Sequence, residues 1–368
     1  MRNRALTILT GLMLVAAAGL VNCGQKATEA AKTSMMVVYT TGDSYILAEG
    51  KTEAPAKVGM VVRQNDIIRT ENGTVDLQTR GGTAVRIREM TRITIAALTA
   101  KGEAKLDMER GGLLANVPKN TKDEKFSVST PTAIAGVRGT TFSVDVGADS
   151  RSTVRVMDGA VAMSPRVPAL EKMDQAQVQA DPNLQKLAAL QQTQVVLEKD
   201  TQGSLDANLE KNLLQANTVL ASSQPAPAQL NTVAEQASQS AKPVETQKVE
   251  FSSREVLEAR TLVAVEPSIM EQAVRGEANV AQNITQKREQ ASEQVLSQIM
   301  DDASRSKLNS EQEIQQHYNT RLELIVLKNG DKIRGAVIAQ TGNTIVVHSS
   351  EGVKKIPRAD LDYQEPLF

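Results

Sequence analysis

The sequence predicts a multi-domain chain: an all-β first domain, a Gln/Ala-rich helical middle region and a small C-terminal β-module. Three observations carry that prediction. Apolar residues alternate with polar ones at period two from Met35 to about Pro165, and turn dipeptides recur about every ten residues. From Val167 glycine nearly vanishes, and Gln, Ala, Leu and Glu dominate. The alternating texture returns at about residue 321.

Composition bounds what the chain can do. It has 368 residues, 40% of them hydrophobic, a formal net charge of −1 and only 2% aromatic residues, with no Trp. That length predicts two or more domains. Cores built from Val, Ile, Leu and Ala suit several small modules better than one large one. A near-neutral chain has no global field to attract nucleic acid, and no basic patch with interleaved aromatics occurs, so nucleic acid is not an expected partner.

The N-terminus carries the pattern of an export signal. Arg2 and Arg4 precede an apolar run from Ala5 to Val21, and Cys23, the only cysteine, follows. The run is about 17 residues, short of the roughly 20 that a spanning helix needs. "LVNC", Leu20 to Cys23, resembles a bacterial lipoprotein box of the looser spirochaetal kind, with Val21 and Asn22 where small residues are usual. The resemblance implies a signal peptide over 1–22, cleavage before Cys23 and acylation there, with a thioether diacylglycerol and a palmitate-type acyl chain. Each buried CH₂ adds about 0.8 kcal/mol, and more than one chain makes anchoring stable. With Cys23 used, no disulfide is available and the exported domains hold by packing alone. Residues 23–34 are small and polar and read as a tether.

Residues 35–165 form the expected β-domain, a sandwich, a barrel or a short β-solenoid. Val75 and Leu77, Val85 and Ile87, and Ile93 and Ile95 each fall on one strand face, with Asp76 and Arg86 on the other. Asn72-Gly73, Gly81-Gly82, Lys101-Gly102, Gly111-Gly112 and Asp158-Gly159 read as the intervening turns. About 130 residues suffice for one independent core.

Residues 166–222 read as helical, with a stripe of Leu205, Leu209, Leu213, Ala216 and Leu220. Pro225, Pro227 and Pro243 mark a Pro/Gln/Ser-rich linker over 223–250. Helix resumes over 251–320. Ser252 with Glu255 and Ser310 with Glu313 fit capping boxes. The apolar positions between them are sparse, which predicts a stalk or helical hairpin reaching away from the β-domain. A coiled coil is the alternative, although no heptad runs cleanly over three repeats. Residues 321–364 hold four short alternating runs, Leu322–Leu327, Lys332–Ala339, Thr344–His348 and Val353–Ile356. Asn329-Gly330, Gly342-Asn343 and Glu351-Gly352 separate them, predicting a small SH3-like or Sm-like barrel. At about 45 residues it is marginal alone and is expected to dock on the helices.

Little points to catalysis. The two histidines, His317 and His348, lie apart with no metal-ligand partner at useful spacing, and no Gly-x-Ser-x-Gly elbow occurs. No catalytic residue, metal or cofactor is predicted. One stretch imitates a phosphate loop, "TPTAIAGVRGTTFSV", Thr130 to Val144. A phosphate loop needs Lys and Ser/Thr at a helix start. Here no Lys follows, and "TTFSVDV" is a strand. Pro131 ends one strand, Gly136 and Gly139 allow a bend, and Phe142 points into the core of the next. Arg138 is assigned a structural hydrogen bond at the corner or, less directly, a binding contact.

The same residues resemble the FecR domain. The markers are Thr130 and Pro131, then Val137, Arg138, Gly139, Thr140 and Phe142, then the hairpin of Val154, Val156, Asp158, Gly159 and Val161. Upstream, "NDIIRT" matches that family's entry motif, with Asn65 in place of Gly. The resemblance covers roughly residues 35–165. It implies an extracytoplasmic, non-enzymatic β-domain that in sigma-regulator relatives receives a signal from an outer-membrane receptor. Those relatives also carry a cytoplasmic anti-sigma segment and a spanning helix, neither of which is read in this sequence. The whole arrangement resembles spirochaetal, Leptospira-type envelope lipoproteins with a FecR domain. The expectation is a lipid-anchored scaffold or binding protein, most simply at the outer membrane. Its expected partner is an envelope protein or cell-wall glycan, and its oligomeric state is not fixed by the sequence. Signal transmission to a regulator is the alternative.

Overall fold

The alternation read from residue 35 onward becomes two β-sheets packed face to face. The computed structural model describes residues 33–119, 125–222, 227–239, 242–341 and 343–367. The signal peptide, Cys23 and most of the tether lie outside the described residues, as do Pro225 and Gly342.

The first sheet runs from Met35–Thr41 through Thr74–Thr79 and Ala84–Ile87 to the second half of the long strand Glu103–Asn116. It continues through Thr141–Val146 and Ser152–Asp158. The second sheet runs from Ser44–Leu47 through Ile67–Thr70 and Arg92–Leu98 to the first half of that long strand. Lys125–Ser129 then pairs with it in parallel, and Ala133–Val137 and Ala160–Pro165 follow antiparallel. Residues two apart on each strand meet between the sheets. Val75, Leu77, Val85, Ile87, Phe142 and Val144 of one face Ile68, Ile93, Ile95, Leu106, Met108 and Val128 of the other in a single core. Of the forms predicted for this domain, this is the sandwich.

Gly111-Gly112 is not a turn. The pair lies inside the 14-residue strand Glu103–Asn116, where the chain passes from one sheet to the other. Gly111 has φ +96°, and a Cβ there would lie 2.5 Å from Cα of Thr91. Two adjacent residues without side chains let one strand bend sharply enough to serve both sheets. The other predicted turns between described residues stand where they were read.

The sheets also continue past Pro165, which corrects the predicted helical region and linker. Val195–Glu198 pairs with Ala160–Pro165, Thr201–Leu205 with Ser152–Asp158, and Val244–Lys248 with Thr201–Leu205. All three are short; Thr201–Leu205 and Val244–Lys248 are mostly polar, and Val195–Glu198 is a run of Val, Val and Leu without alternation, so their period-two signal is weak. The hairpin turns at Asp200, whose φ is +59°. Helix Pro182–Gln191 precedes the added strands, and helices Ala207–Ala221 and Pro227–Ser238 lie between the second and third of them. Leu184, Leu187, Leu209, Leu213, Val233 and Ala234 from these helices join the sandwich core.

Helices Ser253–Arg260, Pro267–Arg275, Val280–Arg305 and Glu311–Tyr318 follow. Both capping boxes form as read, Ser252 with Glu255 and Ser310 with Glu313. The helices do not project as a stalk. Ile269, Met270, Val280 and Ile284 pack on Met36 and Val38, on the outer face of the first sheet. Further along the long helix, Leu296, Ile299 and Ala303 pack on the C-terminal module. The apolar stripe is thin because each half of the helix serves a different neighbour.

The four runs predicted at the C-terminus are strands, and a fifth, Leu361–Pro366, joins them. The order across this antiparallel sheet is Gly352–Pro357, Thr344–Ser349, Lys332–Gln340, Glu323–Leu327, Leu361–Pro366. The two outer strands do not pair with each other, so no barrel closes. One face holds Ile325, Ile333, Ile345, Val347 and Ile356. The other face, with Ala336, Ile338 and Val346, is covered by the helices, as its small size required.

Candidate functional site

The marker residues read from the sequence form two corners, one at each end of the strand Ala133–Val137. At the first, Pro131 and Thr132 make a tight turn between Lys125–Ser129 and Ala133–Val137. The Thr130 amide donates to the Ala133 carbonyl at 2.8 Å, and the Ala133 amide donates to Thr130 Oγ1 at 2.9 Å. Proline fits because its fixed φ suits the turn and no ladder hydrogen bond is lost.

At the second corner, Arg138 and Gly139 carry the chain from the second sheet to the first. Gly139 has φ +63°, and a Cβ there would lie 3.0 Å from Cα of Lys119. Thr140 Oγ1 donates to the Ala160 carbonyl at 2.8 Å, which ties this crossing to the Asp158-Gly159 turn. Lys119 Nζ lies 2.8 Å from Asp158 Oδ2, and its hydrogen bond holds that carboxyl below its ordinary range. The Val-Arg-Gly-Thr and Asp-Gly motifs, about twenty residues apart, thus meet as one corner. Phe142 follows, fully buried, with its ring edge-on to Phe126 at 6.3 Å. Val137 is buried and Arg138 exposed. Gly136 is not part of a bend. It sits mid-strand between Ser127 and Ala162 without a positive φ.

Asn65 supports its own substitution for glycine. Its φ is +71°, a conformation in which Asn is the best tolerated side chain after Gly.

Beneath the first corner lies a polar cluster that the sequence did not reveal. Thr132 Oγ1 donates to Glu210 Oε1 at 2.8 Å, and the Ser152 amide donates to the same oxygen at 2.9 Å. Burial pushes the Glu210 carboxyl up, against the hydrogen bonds it accepts. Arg166, also buried, donates to the Thr130 carbonyl at 2.8 Å and pairs with Asp107 and Glu171. Glu210 stands 78 residues from Thr132, so no local pattern links them.

The outer face of the first sheet forms a second cluster. Tyr39, Asp76, Arg86, Leu114, Ser143 and Arg155 are opposite one another across successive strands. The alternation that placed Asp76 and Arg86 away from the core was right, but this face is not solvated. Helices 253–305 cover it. Arg86 holds fully buried Asp76 through two hydrogen bonds of 2.8 Å, and Arg288 Nη2 adds a third at 2.8 Å. Burial would raise the Asp76 carboxyl, but the charges of Arg86 and then Arg288 outweigh it and hold it low. Gln78 binds the main chain of Val265 at both ends of its amide, donating to the carbonyl at 2.6 Å and accepting from the amide at 2.7 Å.

His348 is buried, with Nδ1 2.8 Å from Tyr318 Oη. Burial lowers its affinity for a proton. His317 stacks edge-on against the same tyrosine. Among the described residues no group of three or more His, Cys, Asp or Glu could hold a metal, and no helix is long and apolar enough to cross a membrane. A groove of about 440 Å³ lies among the short helices after Pro165, lined by Leu170, Met173, Val178 and several glutamines.

Corners and core together define a β-sandwich module whose marker residues shape the fold. Residues 66–162 of it match the family described as FecR protein, in agreement with the resemblance carried by the motif residues. The sandwich extends beyond that span on both sides. The chain is also similar, at 14% identity, to two crystal structures of a candidate anti-sigma factor from Parabacteroides distasonis ATCC 8503, at 2.50 and 1.65 Å resolution. The TM-scores are 0.30 and 0.31, and the alignments cover 50% of this chain and 58% and 60% of those chains. It therefore spans about three-fifths of the length of these relatives. No curated protein matches.

Proposed function

We propose that the chain is an extracytoplasmic, non-enzymatic binding protein of the cell envelope, anchored by lipid at Cys23. The observation that carries the reading is the FecR match over residues 66–162. The motif residues inside that span are engaged in corners and core, which leaves recognition to the surfaces of the sandwich. The C-terminal five-stranded sheet is read as an open recognition module docked on the helices. An envelope protein is the proposed partner class, and a cell-wall glycan the alternative. The outer membrane is the proposed location.

Radiolabelled palmitate and membrane fractionation test the anchor. Cys23→Ala is expected to lose both label and membrane retention, and a variant that keeps its label would remove lipidation at this residue.

A second reading, signal transmission to a partner regulator, is favoured by the same family match. Cross-linking and pull-down from intact cells separate the two. Recovery of an inner-membrane regulator supports transmission, and recovery of only outer-membrane or wall components supports scaffolding.

A further inference from the structure

The segment 251–275 lies on the outer face of the first sheet as a ligand lies on a receptor. Its contacts are of four kinds, one being the Arg155 guanidinium over the Phe251 ring at 4.8 Å. The face supplies arginines and the segment supplies carboxylates. Arg155 pairs with Glu255, Arg88 Nη2 lies 3.0 Å from Glu258 Oε2, and Arg80 Nη2 lies 3.0 Å from Glu271 Oε1. Gln78 grips the main chain of Val265, a mode of recognition that any extended segment can satisfy. Small apolar contacts complete the seam: Leu262 on Ala84 and Leu114, and Ile269 and Met270 on Met36 and Val38.

The occupant is built to leave. Its two helices have eight and nine residues, and residues 262–266 between them have no regular structure. Helices shorter than about 12 residues are marginal unless packed. The fit is also imperfect. Two buried polar atoms of the face beneath it, Ser143 Oγ and Arg155 Nε, have no hydrogen-bond partner. A buried donor left unmade weakens an interface by more than a mean hydrogen bond strengthens it.

We propose that this face is a receptor for an acidic amphipathic segment of a partner protein, with residues 251–275 held in place as a tethered competitor. The inference deepens the binding reading by naming the surface and the chemistry of the partner. These half-buried ion pairs contribute on-rate and selectivity, and they weaken in part with salt, so the competitor is exchangeable without unfolding the sandwich.

The test uses the full chain and a fluorescent peptide of residues 251–275 as the probe. Wild type should capture the peptide weakly, because the tethered copy wins. Glu255→Lys with Glu258→Lys should release that copy and capture the peptide about tenfold more tightly or better. Adding Arg88→Glu and Arg155→Glu should abolish capture. A folded double variant that binds no better than wild type overturns the proposal. Hydrogen exchange on the unmodified chain gives an independent answer. The amides of 253–260 and 267–275 should exchange several-fold faster on going from about 0.05 M to about 0.5 M salt, with those of 142–158 unchanged. Equal, salt-insensitive protection of both overturns it. Peptide capture with no partner recovered from cells would remove the envelope-partner reading and leave the receptor face standing.

Discussion

Gly159 stands so close to Gly139 that a Cβ on Gly159 would lie 2.6 Å from the Gly139 carbonyl oxygen. Both residues have positive φ, +86° and +63°. The hairpin turn and the sheet-to-sheet crossing therefore interlock backbone against backbone. Gly139→Val is expected to destabilise the sandwich by about 1–3 kcal/mol through backbone strain, and more where Lys119 cannot shift. Gly136→Ala, with the nearest atom 3.9 Å from the new Cβ, should stay within about 1 kcal/mol of wild type. Urea unfolding of the pair checks both, and an unchanged midpoint for Gly139→Val would remove the interlock.

Phe142 is the largest fully buried side chain, and it bridges both sheets through Phe126. Phe142→Ala should lower stability by about 3–5 kcal/mol, with Phe142→Leu costing less. Thermal melts would show a loss well under 1 kcal/mol if the ring were peripheral.

Asp76 neutralises two arginines from different parts of the chain. Asp76→Ala removes the hydrogen-bonded counter-charge of Arg86 and Arg288 and should cost about 3–5 kcal/mol. Adding Arg288→Met should recover part of that loss, because one stranded charge goes with it. A strictly additive double variant in urea titrations would mean that the two residues are not coupled.

The pH dependence has two signs. Asp76 and Glu255 are held below their ordinary values of 3.8 and 4.5. Each stabilises the fold above its ordinary value, and the contribution is lost as pH falls through the lowered one. His348 is lowered from 6.5 by burial, so the neutral ring stabilises the C-terminal module above pH 6.5 and fails on acidification. Glu210 is the reverse case. It is raised from 4.5, so its contribution is full below that value and is lost as pH rises through the raised one. On acidification, the amides of strand Thr344–Ser349 should therefore lose protection before those of Thr74–Thr79, as hydrogen exchange would read. Glu210→Gln can still accept from Thr132 and Ser152, and it should melt at or above wild type at pH 7. A lower melting temperature at that pH would contradict the assigned direction.

The sequence by itself determined the elements whose causes are local. Period-two alternation located the strands from Met35 to Pro165 and the four runs after residue 321. Asn-Gly and Asp-Gly dipeptides located turns, Ser-x-x-Glu located two helix starts, and the Thr-Pro and Val-Arg-Gly-Thr markers located a single bend, which the structure divides into two corners by the unread strand Ala133–Val137. The tertiary structure alone decided what lies on the polar face of those strands. Thr132 meets Glu210 across 78 residues, Gln78 meets Val265 across 187, and Asp76 meets Arg288 across 212. The strands Thr201–Leu205 and Val244–Lys248 likewise exist because an existing sheet edge offers them hydrogen bonds, their own side chains being too polar to announce a strand, while Val195–Glu198 is an apolar run of only four residues inside a helical texture. A polar residue on an alternating strand is compatible with water, with an ion pair or with a docked helix. Only the arrival of the distant chain chooses among them, because solvation and pairing give the same local pattern.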